Sequence, residues 1–223
     1  MPPFPTPAQA QQRARLLDVA RRRLEDAGPD ALQARSLTAE FGASTQAVYT
    51  LFGGMPAMFA ALVADGFARL AEHVDAVPET DDPVADFFTK GAAYCDWALA
   101  HPQLYRLMFG LSGHRPVRAS LAHFPEGRAG LEVMVRALDR VQQAGRIRPA
   151  DSLLAAGQFL SATHGYVLLE IVGMFGDQNL SLSRQVIGSL GINLMIGLGD
   201  RPKAAMRSLE SAAAARAPLS ASA

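Results

Sequence analysis

LTAEFGASTQAVYTLFGGMPAMFAAL, residues 37–62, decides how the N-terminal part of this chain folds. Gly42 supplies the backbone freedom that a sharp turn between two short helices requires, and Ser44 is expected to cap the second helix through its hydroxyl. That helix, over residues 45–52, turns Ala47 and Val48 toward a core. Its outward side chains are Thr45, Gln46, Tyr49 and Thr50. Because hydroxyl and amide side chains can read base edges, the stretch predicts a helix-turn-helix.

The composition is that of a globular chain with one large domain or two smaller ones, since it has 223 residues, of which 49% are hydrophobic and 19% charged. The charged share is below the roughly 25% usual for soluble domains, which indicates surface buried between subunits. Lys and Arg number 21, as do Asp and Glu, so the net charge of 0 neither requires nor excludes nucleic acid. No signal peptide or membrane span is predicted, so we expect a cytoplasmic protein without a membrane partner.

Apolar residues recur at helical spacing along the chain, which predicts an all-α fold. We expect one domain over residues 1–55, a second helical domain over residues 56–199, and a disordered tail over residues 200–223. Asp82 and Asp151 are expected to cap two helices of the second domain.

The N-terminal part resembles, in order and spacing, the DNA-binding domain of the tetracycline-repressor (TetR) family. The matching positions are Arg35, Leu37, Gly42, Ser44, Tyr49, Phe52 and the helix that opens at Gly54. ATHGYVLLE, residues 162–170, resembles a C-terminal domain type named for a Trp-His-Gly motif, with Thr163 in place of the tryptophan. The resemblance implies a three-helix reading head, residues 1–55, joined to a helical bundle that dimerises and binds an effector.

DNA contacts are expected from six residues of the reading head, although an ordinary solvated helix is the alternative. Gln can pair with adenine, Thr can contact thymine, and Tyr can reach a phosphate or a thymine methyl. The candidates are Arg35, Ser44, Thr45, Gln46, Tyr49 and Thr50. Arg13 and Arg15 are further candidates for phosphate contact. Six Arg against five Asp and Glu leave the reading head with little positive charge. The lysine that commonly opens the fourth helix of the family is absent here, where Met55 and Pro56 stand.

An aromatic and methionine cluster is the candidate ligand site, although such stripes are more often plain core. Buried polar tips of Tyr, Trp and His need partners, and a mostly apolar cavity with a few polar groups is a usual ligand site. The candidates are Phe88, Tyr94, Trp97, Tyr105, Met108, Phe109, Phe159 and His164.

Two C-terminal helices have the pattern of a four-helix dimer interface, although they could simply close the domain core. Small residues recur every fourth position at Gly157, Ser161 and Gly165, which lets another helix approach closely. The last predicted helix carries Val186, Leu190 and Leu194 on one side.

Enzyme motifs are lacking, so no catalytic residue, metal or cofactor is expected. The five histidines show no metal-ligand spacing, and Cys95 lies on an apolar helix face where a thiol is inert. The sequence predicts a homodimeric, effector-responsive transcriptional regulator, most often a repressor in the family that it resembles, on a near-palindromic double-stranded DNA operator. A helical ligand-binding or interaction protein that has lost DNA binding, and a cofactor-free helical enzyme, are the alternatives.

Overall fold

The computed structural model describes residues 6–112, 125–175 and 180–216, and the regular elements in these ranges are helices. The all-α prediction is confirmed. The helices are α1 (Pro7–Ala27), α2 (Ala34–Phe41), α3 (Gln46–Phe52), α4 (Met55–Asp75), α5 (Pro83–Ala100), α6 (Pro102–Met108), α7 (Pro125–Gln143), α8 (Ser152–Ile171), α9 (Leu180–Gly197) and α10 (Pro202–Arg216), with a 3₁₀ turn at Pro29–Ala31.

The chain divides into two compact units. The first comprises Met1–Arg69 and His101–Gly127, and the second comprises Leu70–Ala100 and Arg128–Ala223. The division falls inside α4 and assigns α6 to the first unit, so it differs from the expected boundary after residue 55.

The first unit is built around α1, whose buried side chains lie three and four residues apart. Thr6 and Gln9 form a reciprocal capping box at its start, and Gly28, with φ of 74°, ends it. Buried residues of α1 to α3, with Leu32 from the segment before α2, form the core of the reading head: Leu16, Val19, Ala20, Leu24, Leu32, Leu37, Val48 and Phe52.

Helix α6 belongs to the first unit because α1 caps it. The Glu25 carboxylate accepts hydrogen bonds from the backbone N–H groups of Gln103 and Leu104, at 3.1 and 2.9 Å. These groups lie in the first turn of α6, where no intrahelical acceptor exists. A Cβ at Gly66 of α4 would stand 2.8 Å from Sδ of Met108, so the small residue permits this close approach.

The second unit has its own apolar core, and both predicted helix caps are confirmed in it. Asp82 accepts from the N–H groups of Val84 and Ala85, and Asp151 accepts from those of Leu153 and Leu154. The core residues are Val84, Phe87, Phe88, Ala137, Leu138, Val141, Ile147, Ala155, Ala156, Phe159, Met195 and Ala212.

The prediction of a disordered tail from residue 200 is wrong for residues 202–216, which form α10. Ala205, Ser208 and Ala212 of this helix are buried, and α10 packs on α5. Burial of this alanine face offsets the entropy that an isolated chain end would keep. The rest of the expected tail, residues 217–223, and the first five residues of the reading head lie outside the described residues.

No described helix has by itself the length and apolar composition of a membrane span, and only the bent pair α3 and α4 meets those criteria jointly.

Candidate nucleic-acid interface and regulatory surfaces

The turn before α3 forms as predicted, but its helix cap does not. Gly42 has φ of 70°, the left-handed conformation expected for the turn. Thr45, not Ser44, is the N-cap residue of α3, and no side-chain hydroxyl caps the helix. Because Thr45 already has helical dihedral angles, the first turn closes through the backbone carbonyls of Ser44 and Thr45, which accept from the N–H groups of Ala47 and Val48.

Helix α3 presents the predicted polar face. Val48 is fully buried and Phe52 nearly so, which fixes the inner side of the helix. The residues on the outer side are exposed: Ser44, Thr45, Gln46, Tyr49 and Thr50. Tyr49 is 57% exposed, which is unusual for so large an aromatic side chain. Amide, hydroxyl and phenol groups on a short exposed helix can hydrogen-bond base edges and phosphates.

Most arginines of the first unit are engaged within the protein. Arg22 and Arg23 both donate to Glu40, and Arg21 and Arg69 both pair with Asp18 and Asp65. Hydrogen bonds from Arg22 and Arg23 lower the pKa of the Glu40 carboxyl. Arg15 and Arg106 are not free either.

Arg35, at the start of α2, differs from the other arginines. It is exposed, and among the arginines in the described part of the first unit its guanidinium alone has no hydrogen bond or ion pair. This guanidinium is available to an outside anion, and the phosphate contact expected of it stays a prediction.

Arg13 is not placed as a phosphate contact would be. Its Nη1 donates to the backbone oxygen of Leu51 at 2.8 Å, and its guanidinium carbon lies 4.3 Å from the centre of the Phe52 ring. Burial lowers the pKa of Arg13. The sequence could not show this inward orientation, because the two partners lie 38 and 39 positions away.

The candidate ligand residues divide between the two units. Tyr105, Met108 and Phe109 belong to the first, and Tyr105 packs against Phe109 with ring centroids 4.8 Å apart. Phe88, Tyr94, Trp97, Phe159 and His164 belong to the second.

Within the second unit, Phe88 and Phe159 are core residues rather than the lining of an open site. Both belong to its buried apolar cluster, and Phe87 and Phe159 stack edge to face with centroids 4.6 Å apart. His164 is half-buried, and burial lowers its pKa, which favours a neutral imidazole. Tyr94 and Trp97 are buried, and each already interacts with other residues of the chain.

Helices α8 and α9 leave an apolar surface uncovered in the single chain. A Cβ at Gly157 or Gly165 would meet no other atom within 4 Å, and Ser161 and Leu190 are exposed, whereas Val186 and Leu194 are half-buried. Large apolar side chains extend the same surface: Leu154, Leu169, Val172 and Leu182 are all at least 40% exposed. The sequence analysis missed these four residues, although Leu154, Leu169 and Val172 continue the glycine stripe of α8 at three- and four-residue steps.

Comparison with known proteins gives matches to one family of regulators. A family model described as "Tetracyclin repressor-like, C-terminal domain" matches residues 87–187. A TetR-family transcriptional regulator from Pectobacterium atrosepticum is 25% identical, with a TM-score of 0.65 over 88% of this chain and 100% of that one. These matches support a TetR-family regulator.

Two further proteins are similar to this chain. A structure from Rhodococcus sp. RHA1, of unknown function, is 28% identical, with a TM-score of 0.72 over 90% of this chain and 100% of that one. An HTH-type transcriptional regulator of Mycobacterium tuberculosis is 29% identical over 108 residues, 46% of this chain and 45% of that protein. The chain thus spans about half the length of the curated relatives that it matches.

These findings support a TetR-type transcriptional regulator. Two of these relatives are named as transcriptional regulators. Within the ranges that the structure describes, no three His, Cys, Asp or Glu side chains are grouped so as to hold a metal ion.

Proposed function

We propose that this TetR-family regulator binds a near-palindromic DNA operator as a homodimer and that a small apolar effector changes its affinity for that operator. The observation that carries the DNA part is the exposed face of α3, with Gln46 and Tyr49 at its centre and the unpaired Arg35 on the neighbouring helix. In this proposal α3 lies in the major groove, and Arg35, Ser44, Thr45 and Thr50 contact bases or phosphates around it.

Dimerisation would cover the apolar surface of α8 and α9. Monomers seldom leave several large apolar side chains this exposed on adjoining helices. The open stripe at Gly157, Ser161 and Gly165 would allow a helix of the second copy to approach closely, and Val186, Leu190 and Leu194 would pack beside it. A twofold dimer would place its two α3 helices one DNA turn apart, about 34–36 Å.

Effector binding is proposed for the second unit, where Tyr94, Trp97 and His164 combine apolar rings with polar tips. An effector shifts DNA binding only by its difference in affinity for two states of the dimer. Repression, which is common in the family, would then be relieved when the effector favours the state with lower DNA affinity.

Fluorescence anisotropy on a duplex from the region upstream of the protein's own gene tests the DNA part. We expect Gln46→Ala with Tyr49→Ala to weaken binding at least tenfold, because each good base contact contributes about 1–3 kcal/mol. Lys203→Ala with Glu210→Ala, two exposed residues of α10, is the control and leaves binding unchanged. No binding at low salt, or equal binding by both double variants, contradicts the assignment.

Light scattering with size-exclusion chromatography tests the dimer. Gly165→Leu is expected to leave the monomer fold intact, because its Cβ meets nothing in the chain, but to block helix approach between copies. Gly91→Leu on α5 is the matched control, since a Cβ there also meets nothing within 4 Å. A monomeric wild-type protein, or a Gly165→Leu variant that stays dimeric, contradicts this interface.

A binding protein that has lost its DNA role remains a second candidate, favoured by the internal pairing of most reading-head arginines. Thermal stabilisation by small apolar molecules, together with undetectable DNA binding, would support it.

A further inference from the structure

Helix α3 is too short to hold its own orientation. It has seven residues, and isolated helices of this length are not stable in water. Its direction therefore depends on contacts with the rest of the first unit. Val48 and Phe52 supply apolar burial, which is strong but not directional.

Arg13 of α1 supplies a directional contact at the C-terminal end of α3. Its Nη1 donates to the Leu51 oxygen at 2.8 Å, and Leu51 belongs to the last turn, where carbonyls lack intrahelical donors. The same guanidinium lies over the Phe52 ring at 4.3 Å. One planar group thus fixes both a backbone atom and a side chain of the last turn of α3.

We infer that Arg13 is a positioning residue for operator recognition, which sets the angle at which α3 presents Gln46 and Tyr49 without contacting the DNA. The inference rests on the proposed DNA-binding function. A lysine cannot replace Arg13, because an ammonium group lacks the planar fork that donates to the carbonyl while stacking on the ring.

The alternative role, a phosphate contact, has a different signature. Removal of a phosphate contact weakens binding to all sequences alike and lowers the slope of log affinity against log salt by about 0.9 for each phosphate lost. Loss of a positioning residue weakens operator binding selectively and leaves that slope unchanged. The ratio of operator to random-sequence affinity also does not depend on the fraction of protein that is folded, so a mere loss of stability leaves it unchanged.

The experiment measures anisotropy with an operator duplex selected from a random pool and with a random-sequence duplex of equal length, over a series of salt concentrations. We expect Arg13→Met and the charge-preserving Arg13→Lys each to lower the ratio of operator to random-sequence affinity at least fivefold, with the salt slope unchanged. Arg13→Lys keeps the test decisive if Arg13→Met does not fold.

Arg35 is the matched control, because it is exposed and unpaired. Arg35→Met is expected to lower the salt slope and to weaken both duplexes by similar factors. A wild-type protein that shows no preference for any selected duplex overturns the proposed function itself. A wild-type preference that both Arg13 variants keep, or a reduced salt slope in Arg13→Met, overturns the positioning role alone.

Discussion

Arg146 and Asp200 form a two-point ion pair in the second unit, with Nε to Oδ1 at 3.0 Å and Nη2 to Oδ2 at 2.8 Å. Asp200 precedes α10, and its side chain is only 2% exposed. The hydrogen bonds that Arg146 donates to the Asp200 carboxylate raise the pKa of Arg146. Arg146 also donates to Asp82 and to Oγ of Ser208, so one guanidinium joins the beginning of α5 to both the start and the middle of α10.

Asp200→Asn is expected to lower the free energy of unfolding by about 2–3 kcal/mol, because it leaves the Arg146 guanidinium without its buried counter-charge. Urea unfolding followed by circular dichroism measures the change. Glu132→Gln, which breaks the exposed pair with Arg128, is the control and should cost less than about 0.5 kcal/mol. Equal losses of unfolding free energy in the two variants would show that the pair between Arg146 and Asp200 stabilises the protein no more than a surface ion pair does.

The protein is expected to lose stability in acid because the Asp82 carboxylate becomes protonated there. Burial alone would raise the pKa of this carboxyl, but hydrogen bonds from Ser208 and from the Ala85 N–H, with the charge of Arg146, lower it below its ordinary value of 3.8. Because the pKa of Asp82 is lower in the folded protein, the charged carboxylate contributes its full stabilisation above the ordinary pKa. That stabilisation is lost as the pH falls through the pKa of the folded protein.

Asp82→Asn should therefore be less stable than the wild type at pH 7, and the difference should shrink below about pH 4. Asparagine still caps a helix, so the cap itself is retained. Urea unfolding at pH 7, 4 and 3 measures the difference. If the difference in unfolding free energy between the two proteins stayed constant over this pH range, the charge of Asp82 would not be its cause.

Met55→Lys is expected to strengthen DNA binding, because it places an ammonium at the start of α4, where the family commonly has one. The salt slope should steepen by about 0.9 for each reading head. Met206→Lys, at a half-exposed position of α10, adds the same charge elsewhere and should leave the slope unchanged. Anisotropy at several salt concentrations distinguishes the two, and identical slopes would place Met55 away from the phosphates.

The Cys95 thiol should be almost inert in the folded protein. Burial, with the nearby Asp96 carboxylate, raises its pKa to about 12 from 9.0. The thiolate at pH 8 is then roughly a thousandfold scarcer than for an ordinary thiol. Ellman's reagent should react slowly with the native chain and with one equivalent in guanidinium chloride. A fast native reaction would mean that the helix around Cys95 opens readily.

The helices were predictable where local sequence determines them. Gly42 and Gly53 end α2 and α3 with positive φ angles of 70° and 85°, and Asp82 caps α5. These signals act over a few residues, so a single sequence contains them in full.

Contacts between distant positions were not predictable. The alanine-rich residues 202–216 have a weak helical pattern. They pack as α10 through a buried face and through contacts with distant residues, such as the pair between Arg146 and Asp200, 54 positions apart. From the sequence, the charge of Arg13 would attract DNA and that of Glu40 would repel it. In the structure, Arg13 instead donates to the Leu51 oxygen, and Glu40 pairs with Arg22 and Arg23.

The pairing of arginines inside the reading head bears on how such a regulator finds its operator. Non-specific residence on DNA is driven by phosphate neutralisation, and Arg35 is the only unpaired guanidinium that the described part of the first unit offers. A reading head that offers few unpaired guanidinium groups to phosphate would slide little along DNA and reach its operator chiefly by three-dimensional diffusion. Few copies would then be bound to non-operator DNA, so a small number of copies could keep the operator occupied.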